Sequence, residues 1–266
     1  MINRRQFLNY LLLSSGAALT GGTVFSAYRS NSLEVVREKI HWSKPIGKLR
    51  IVLASDIHAP SLYNTITSLI SAVNNESPDI FILVGDIIDK CGMESIVSKF
   101  SRVNTQAAKL AVLGNWEYRS KLNLSLLNQE YAHAGVKLLV NSTIEVAGML
   151  IVGLDDLIGG TIDLGILKHC LDDNTPILLL SHCPGVFDLI STLTLPPTIV
   201  LSGHTHGGQI APFGIALIRP PGSGSYIKGW YHRGKHSLYV MRGVGTSGLP
   251  FRIGARPELL VLDITS

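Results

Sequence analysis

Five short apolar runs in this 266-residue chain each stop at a side chain able to bind a divalent cation. LRIVLAS leads into Asp56-Ile57-His58, DIFILVG into Asp86, KLAVLG into Asn115, PILLLS into His182, and TIVLS into Gly203-His204-Thr205-His206. Runs of this length, rich in Val, Ile and Leu, read as strands buried on both faces. Strand ends can converge on one edge of a sheet, so the pattern constrains fold and site together. Asp, Asn and His offer oxygen and nitrogen donors suited to Mn²⁺, Fe²⁺ or Zn²⁺. Seven donors exceed what one ion with an open position takes, and they suit two ions sharing a bridging carboxylate. A lone His after an apolar strand is usually structural, whereas five such ends in one chain point to a site.

The remaining periodicity supports an α/β reading. From Leu49 strands alternate with helices: strands over 49–54, 80–84 and 109–113, and helices near 63–75, 93–103 and 122–134, the last stopped by Gly135. Short strands are expected at 136–140, 143–147 and 149–153. A helix at 162–171, strand 177–181, helix 184–192 and strand 198–202 follow. The Gly- and Pro-rich tail carries strands near 215–218, 238–242 and 258–264. Alternation first and strands later implies two packed, mixed sheets with outer helices. The domain organisation is a leader over 1–28, a linker with an early strand or helix over 29–48, and one domain over 49–266.

Asn3-Arg4-Arg5-Gln6-Phe7-Leu8 opens an uncharged, moderately apolar run to Tyr28. Paired arginines before such a run resemble a twin-arginine export signal. The run is also long enough to span a bilayer, so a retained anchor is an equal reading. Arg29, Arg37, Lys39, Lys44 and Lys48 follow it, and by the positive-inside rule they would hold the following domain in the cytoplasm. The expected location is therefore bacterial and membrane-associated or exported.

The formal charge of +4 hides an asymmetry. No carboxylate occurs between Asp188 and Glu258, a stretch carrying Arg219, Lys228, Arg233, Lys235, Arg242, Arg252 and Arg256. Such a lobe favours an anionic, phosphate-containing substrate. The basic residues are dispersed and no nucleic-acid-binding motif is visible, so no nucleic-acid partner is expected. Cys91, Cys170 and Cys183 are far apart and form neither a zinc ribbon nor a disulfide scaffold.

D-x-H, G-D, G-N, S-H and G-H-T-H, in this order over roughly 49–264, resemble the calcineurin-like metallophosphoesterases. His206-Gly207-Gly208-Gln209-Ile210, Arg242-Gly243-Val244-Gly245-Thr246-Ser247 and the N-terminus are similar to a branch of exported or membrane-attached bacterial phosphodiesterases, of the YaeI and YkuE type. The resemblance implies a four-layer α/β/β/α sandwich with two mixed sheets. It implies one metal on Asp56, His58, Asp86 and His206 and a second on Asp86, Asn115, His182 and His204, with Asp86 bridging. Mn²⁺ is the first choice, Fe²⁺ and Zn²⁺ the alternatives. It also implies a metal-activated hydroxide attacking a phosphodiester or phosphoanhydride.

One position departs from the family. G-N-H-D or G-N-H-E is usual, and here the sequence is Gly114-Asn115-Trp116-Glu117. The missing His is the usual candidate for protonating the leaving group, and an indole only donates a hydrogen bond. The activity is weakened or lost, or Glu117 acts as the acid, or the leaving group needs no proton. The last is preferred here, with Trp116 stacking on a base, a sugar or an acyl chain. The catalytic candidates are thus Asp86, Asn115 and Glu117; the substrate-binding candidates are Trp116, Arg219, Arg242 and Arg252. Cys183 is a pocket-lining candidate and not a nucleophile. Asp155 and Asp156 are partners for the ligand histidines or plain turn residues. His41, His133, His169, His232 and His236 read as surface residues. A sharper candidate substrate is UDP-2,3-diacylglucosamine of lipid A synthesis, whose pyrophosphate some members of the wider family cleave, releasing UMP. The alternatives are a broad envelope phosphodiesterase and a metal-binding interaction module that has lost turnover.

Overall fold

A computed structural model describes residues 32–42, 46–59, 63–90, 94–170 and 176–266; the twin-arginine-like segment, Cys91 and the side chains of His169 and Cys170 lie outside them. Two six-stranded sheets form the centre. The first contains β1 (Glu34–His41), β2 (Lys48–Ala54), β3 (Ile80–Val84), β4 (Ala108–Val112), β5 (Val136–Leu138) and β12 (Glu258–Thr265), in the order β1-β12-β2-β3-β4-β5. The second contains β6 (Ser142–Val146), β7 (Met149–Gly153), β8 (Ile177–Leu180), β9 (Thr198–Ser202), β10 (Gly229–Arg233) and β11 (His236–Val240), in the order β10-β11-β9-β8-β7-β6. β2 to β5 run parallel in one sheet, and β7, β8, β9 and β11 in the other. β12 pairs antiparallel with β2, β6 with β7 and β10 with β11, so both sheets are mixed.

Two-residue alternation sorts the side chains into layers. Ile51, Leu53, Ile82 and Leu110 face Ile151, Leu178, Leu180 and Leu201 across the gap between the sheets. Val52, Phe81, Leu83 and Ala111 point the other way, onto α1 (Tyr63–Asn75), the 3₁₀ segment Glu94–Arg102 and α3 (Leu124–His133). Val152, Leu179, Val200 and Leu238 cover the outer face of the second sheet beneath Leu167 and α4 (Val186–Ile190). The result is the expected helix-sheet-sheet-helix sandwich. The Asn123 side chain caps α3 by accepting from Leu126 N at 3.0 Å, and Gly135, at φ +68°, ends it.

β10 is not expected from the sequence. Of the early strand or helix expected within 29–48, the structure shows the strand β1, paired in parallel with β12. Its charges at Arg37, Glu38 and Lys39 mask the strand pattern, and they suit an edge. The strand expected at 215–218 is an irregular loop, since Ile215, Leu217 and Ile218 find no neighbouring strand and stay exposed. His236, expected on the surface, is buried on β11.

Candidate metal centre

The C-terminal ends of parallel strands from both sheets meet along one edge. β2 delivers Asp56 and His58, β3 delivers Asp86, and β4 runs through Gly114 into α2 (Asn115–Arg119). From the second sheet β8 delivers His182, and β9 delivers His204 and His206. Backbone bonds lock the turns together: Asp56 N donates to Gly85 O at 3.0 Å, His58 N to Asp86 O at 3.1 Å and Gly203 N to His182 O at 3.1 Å.

Two donor groups result, Asp56, His58 and His206 in one and Asp86, His182 and His204 in the other, all six residues buried. In the first, His58 Nε2 and His206 Nε2 face each other at 3.0 Å, and Asp56 Oδ1 lies 3.6 Å from His206 Nε2. In the second, His182 Nε2 sits 3.0 Å from Asp86 Oδ2. The same carboxylate oxygen is 3.8 Å from His58 Nε2, so Asp86 reaches both groups. Asn115 Oδ1 is buried without a hydrogen-bond partner, and His182 Nε2 has only the Asp86 carboxylate beside it. Unpaired buried acceptors are rare, because each costs its full desolvation penalty. Their presence beside clustered nitrogens fits two cations, and the donor set suits a dinuclear centre.

The backbone is strained at the same residues. Asp56, His58, Asp86, His204 and His206 all lie in the left-handed region, with φ between 50° and 73°. Each such non-glycine residue costs on the order of 1 kcal/mol, and persists only where the surroundings over-determine it. Close approach of the turns adds a glycine requirement: a Cβ on Gly114 would overlap the Asp86 carboxylate, and one on Gly203 would overlap that of Asp56.

Hydrogen bonds behind the donors set their orientation. Val84 O accepts from His182 Nδ1 at 2.9 Å, which leaves Nε2 toward the site. Pro221 O accepts from His204 Nε2 at 2.7 Å, which leaves Nδ1 toward it. His204 N donates to both oxygens of Asp56, at 2.9 and 3.0 Å. Burial and the neighbouring positive charges of His58 and Arg252 hold His206 far below its ordinary pKa, so the ring is neutral. Burial works against ionisation of Asp86, yet His182 outweighs it and brings the carboxyl down to about 2. His182 is raised in turn, the Asp86 and Asp56 carboxylates overcoming its burial.

Several expected roles are redistributed. Glu117 does not face the cavity: its oxygens accept from the amides of Asp86, Ile87, Ile88 and Gly114 at 2.7–3.3 Å. It is a buried clamp between the β3 and β4 turns, turned away from the cavity. Arg252 is fully buried, donating to Gly245 O and Arg242 O and lying 3.1 Å from His206 Nδ1. Arg242 pairs with Glu258 at 2.6 Å and Glu34 at 3.0 Å. Arg219 is exposed and donates to Gly224 O. None of the three arginines lines the cavity beside the centre. Arg233, Arg242 and Arg256 of the carboxylate-free stretch pair with Asp188, Glu34 and Glu258, acids outside it, which composition does not show. Asp155 and Asp156 are turn residues: they bind Thr161 N, Ile158 N and Gly159 N and so fix a wall of the cavity. Cys183 donates to Asp156, and burial pushes its thiol far up, away from nucleophilic use.

The cavity measures about 760 Å³ and opens from Asp86, Asn115, His204 and His206. Its walls are mainly apolar: Trp116, Ile158, Ile210, Ile218, Pro220 and Leu249. The Trp116 ring meets His58 edge-on at 5.7 Å. Arg119, which the sequence reading missed, lines the cavity and lies over the Trp116 ring at 4.7 Å. The signal was its i+3 spacing from Trp116 on a helix.

The sequence of residues 49–208 matches the model of the calcineurin-like phosphoesterases. The chain belongs to that family. It is a metal-dependent phosphoesterase, and the paired donor groups are the centre such an enzyme needs. It is 35% identical to the uncharacterized metallophosphoesterase Cj0846 of Campylobacter jejuni, over 81% of this chain and 59% of that protein. It is 31% identical to the uncharacterized metallophosphoesterase YkuE of Bacillus subtilis, over 100% of this chain and 98% of that protein. A transmembrane protein with metallophosphoesterase domain from Danio rerio is 29% identical over 85% of this chain and 55% of its own length. The chain thus spans little more than half of the first and third of these relatives. No helix among the described residues is long and apolar enough to cross a membrane.

Proposed function

We propose that this phosphoesterase hydrolyses a phosphoanhydride, or a phosphodiester with a good leaving group, attached to a bulky apolar moiety. The observation that carries the reading is the pairing of an apolar cavity with the absence, among the described residues that line it outside the donor groups, of a side chain free to give up a proton. When bound, two divalent ions, with Mn²⁺ preferred, supply Lewis acidity that activates water and neutralises phosphate oxygens. Asp86 would bridge them, with Asp56, His58 and His206 on one side and Asn115, His182 and His204 on the other. This chain's residues decide what can leave. Trp116 stands where an acid is usual and transfers no proton. Glu117 is consumed by four amides. The Tyr118 hydroxyl donates to Asp155 at 2.5 Å, and burial and that carboxylate raise its pKa above the ordinary value. The Arg119 guanidinium contributes charge alone. A phosphate leaving from an anhydride is already a weak base and needs no acid, whereas an alkoxide does.

The apolar wall and the membrane-directed N-terminus favour a lipid-linked anhydride, of which UDP-2,3-diacylglucosamine is the concrete candidate. That substrate places the active site at the cytoplasmic face of the inner membrane. The test is an Mn²⁺-loaded assay of three substrates beside an Asp86→Ala control: an activated aryl phosphodiester, an alkyl phosphodiester and UDP-2,3-diacylglucosamine. Asp86-dependent release of UMP with little alkyl cleavage is the expected result. Cleavage of the aryl diester alone would replace the lipid reading with a broad envelope phosphodiesterase. Metal binding without turnover would leave an interaction module.

A further inference from the structure

Beyond the cavity mouth the surface is unusually apolar. Phe213 is fully exposed at 102%, and Ile215, Leu217 and Ile218 are 67%, 63% and 70% exposed. Leu249 and Phe251 add a second apolar edge at 47% and 38%. Isolated exposed apolar side chains are ordinary, but a contiguous set marks an interaction surface. Here the two edges are tied into one face. The Gln209 side chain donates to Leu249 O at 2.9 Å, Ala211 N donates to Ile253 O at 2.7 Å, and Leu217 N donates to Ile210 O at 3.3 Å. Phe213 holds a left-handed φ of 53°, a conformation disfavoured for an aromatic residue, and its ring reaches solvent. Ile218 and Leu249 belong to this face and also line the cavity, so the mouth opens through it.

We propose that this face docks on an anionic lipid bilayer, with the cavity mouth against the headgroup layer. Two observations select a bilayer as the occupant. The first is where the chain leaves the domain. Arg256 donates to Ser32 Oγ at 3.0 Å, so the first described residue is held against the segment that runs on from Phe251 and is bridged to Ile210 at Ile253. The uncharged run to Tyr28 ends four residues earlier, a gap of at most roughly 14 Å when fully extended. An apolar segment in a bilayer on so short a tether would hold this side of the domain at the surface. The second is charge: Arg219, which follows Ile218 directly, is exposed and bonds Gly224 O rather than a carboxylate, and Arg119 stands at the cavity wall over Trp116. Exposed apolar side chains beside such cations match an anionic interface. The docking deepens the lipid-linked reading and rests on it for purpose, because a substrate with acyl chains would then enter from the bilayer without crossing water.

The test uses the full chain in phosphatidylglycerol-phosphatidylethanolamine vesicles whose acyl chains carry bromine, a contact quencher of indole fluorescence. Phe213→Trp and, separately, Leu217→Trp add an indole to the face; Gln129→Trp adds one on exposed α3 at the opposite edge of the first sheet. The emission added at 213 and 217 should fall about twofold or more on bromination, as for side chains seated in the interface, while that added at 129 is unchanged. Equal emission at all three positions would overturn the proposal. So would a detergent-solubilised dimer that Phe213→Glu converts to monomer, which would assign the face to a second copy. The readout involves no catalysis. An inactive enzyme that is quenched at 213 sinks the substrate reading alone, and an active enzyme that is not quenched sinks the docking alone.

Discussion

The strand-end cluster and the apolar rim lie next to each other and are built on opposite terms. In the cluster the donors are polar side chains, five of the seven on left-handed turns, fixed by amide hydrogen bonds and close glycine contacts. In the rim, long apolar side chains stand on irregular loops in solvent. The first tolerates almost no change, because buried polar groups and left-handed residues leave no slack. The second gains nothing from its exposure in the isolated domain, so its composition reflects what it meets. On the proposed function, chemistry falls to the cluster and selection of substrate to the rim, and substitutions should separate the two.

The largest effect should come from Asp86→Ala. Asp86 Oδ2 lies within 4 Å of a histidine of each donor group, as does Asp56 Oδ1, and at 3.0 Å from His182 Nε2 it makes the shortest of these approaches. Its loss should lower metal content from two ions per chain and reduce turnover by more than the 10²–10³-fold, roughly, of one lost transition-state donor. Elemental analysis beside an aryl diester assay reads both, and full metal occupancy in the variant would refute the bridging role. Next is Trp116→His, which restores a proton donor between cluster and rim. Alkyl diester cleavage should rise by up to about 10²–10⁴-fold while anhydride cleavage stays unchanged. An equal gain on both substrates would show that Trp116 hinders binding and that the leaving group is not what it selects.

Much of this division was legible in the sequence. The apolar runs of β2, β3, β4, β8 and β9 declare themselves because both faces of each strand are buried, and the donors follow at once. What escaped depends on partners distant along the chain. β1 is recognisable only beside β12, and Arg242 looks available until Glu34, 208 residues away, is placed against it. Glu117 illustrates the same limit. Its position after Asn115-Trp116 suggested an acid, and only the folded turn shows four amides converging on it.

That clamp gives a prediction in pH. Burial and the Asp86 carboxylate push Glu117 up to about 7 from 4.5, against the pull of its amide donors. Between those values the folded metal-free protein keeps a proton that the unfolded chain has released. Its contribution to stability is therefore present below about 4.5 and is lost as pH rises toward 7. Glu117→Gln cannot titrate, so the stability advantage of the native protein over this variant should shrink across that window. Urea midpoints of both metal-free proteins at a series of pH values measure it. A constant difference would mean that the four amides keep the carboxylate ionised throughout.

The smallest effect tests the rim. Leu249 is half exposed, lines the cavity and touches none of the donor groups' hydrogen bonds. Leu249→Ser should leave stability within about 0.5 kcal/mol, as surface substitutions do. It should raise KM for an apolar substrate roughly fourfold, the worth of about one buried methylene, and leave kcat unchanged. The absolute change is small, but its pattern is diagnostic. A residue that only helps to seat an apolar group removes binding shared by ground state and transition state, and so appears in KM alone. If kcat falls instead, the rim also positions the phosphate over the cluster, and the two regions would have to be treated as one site.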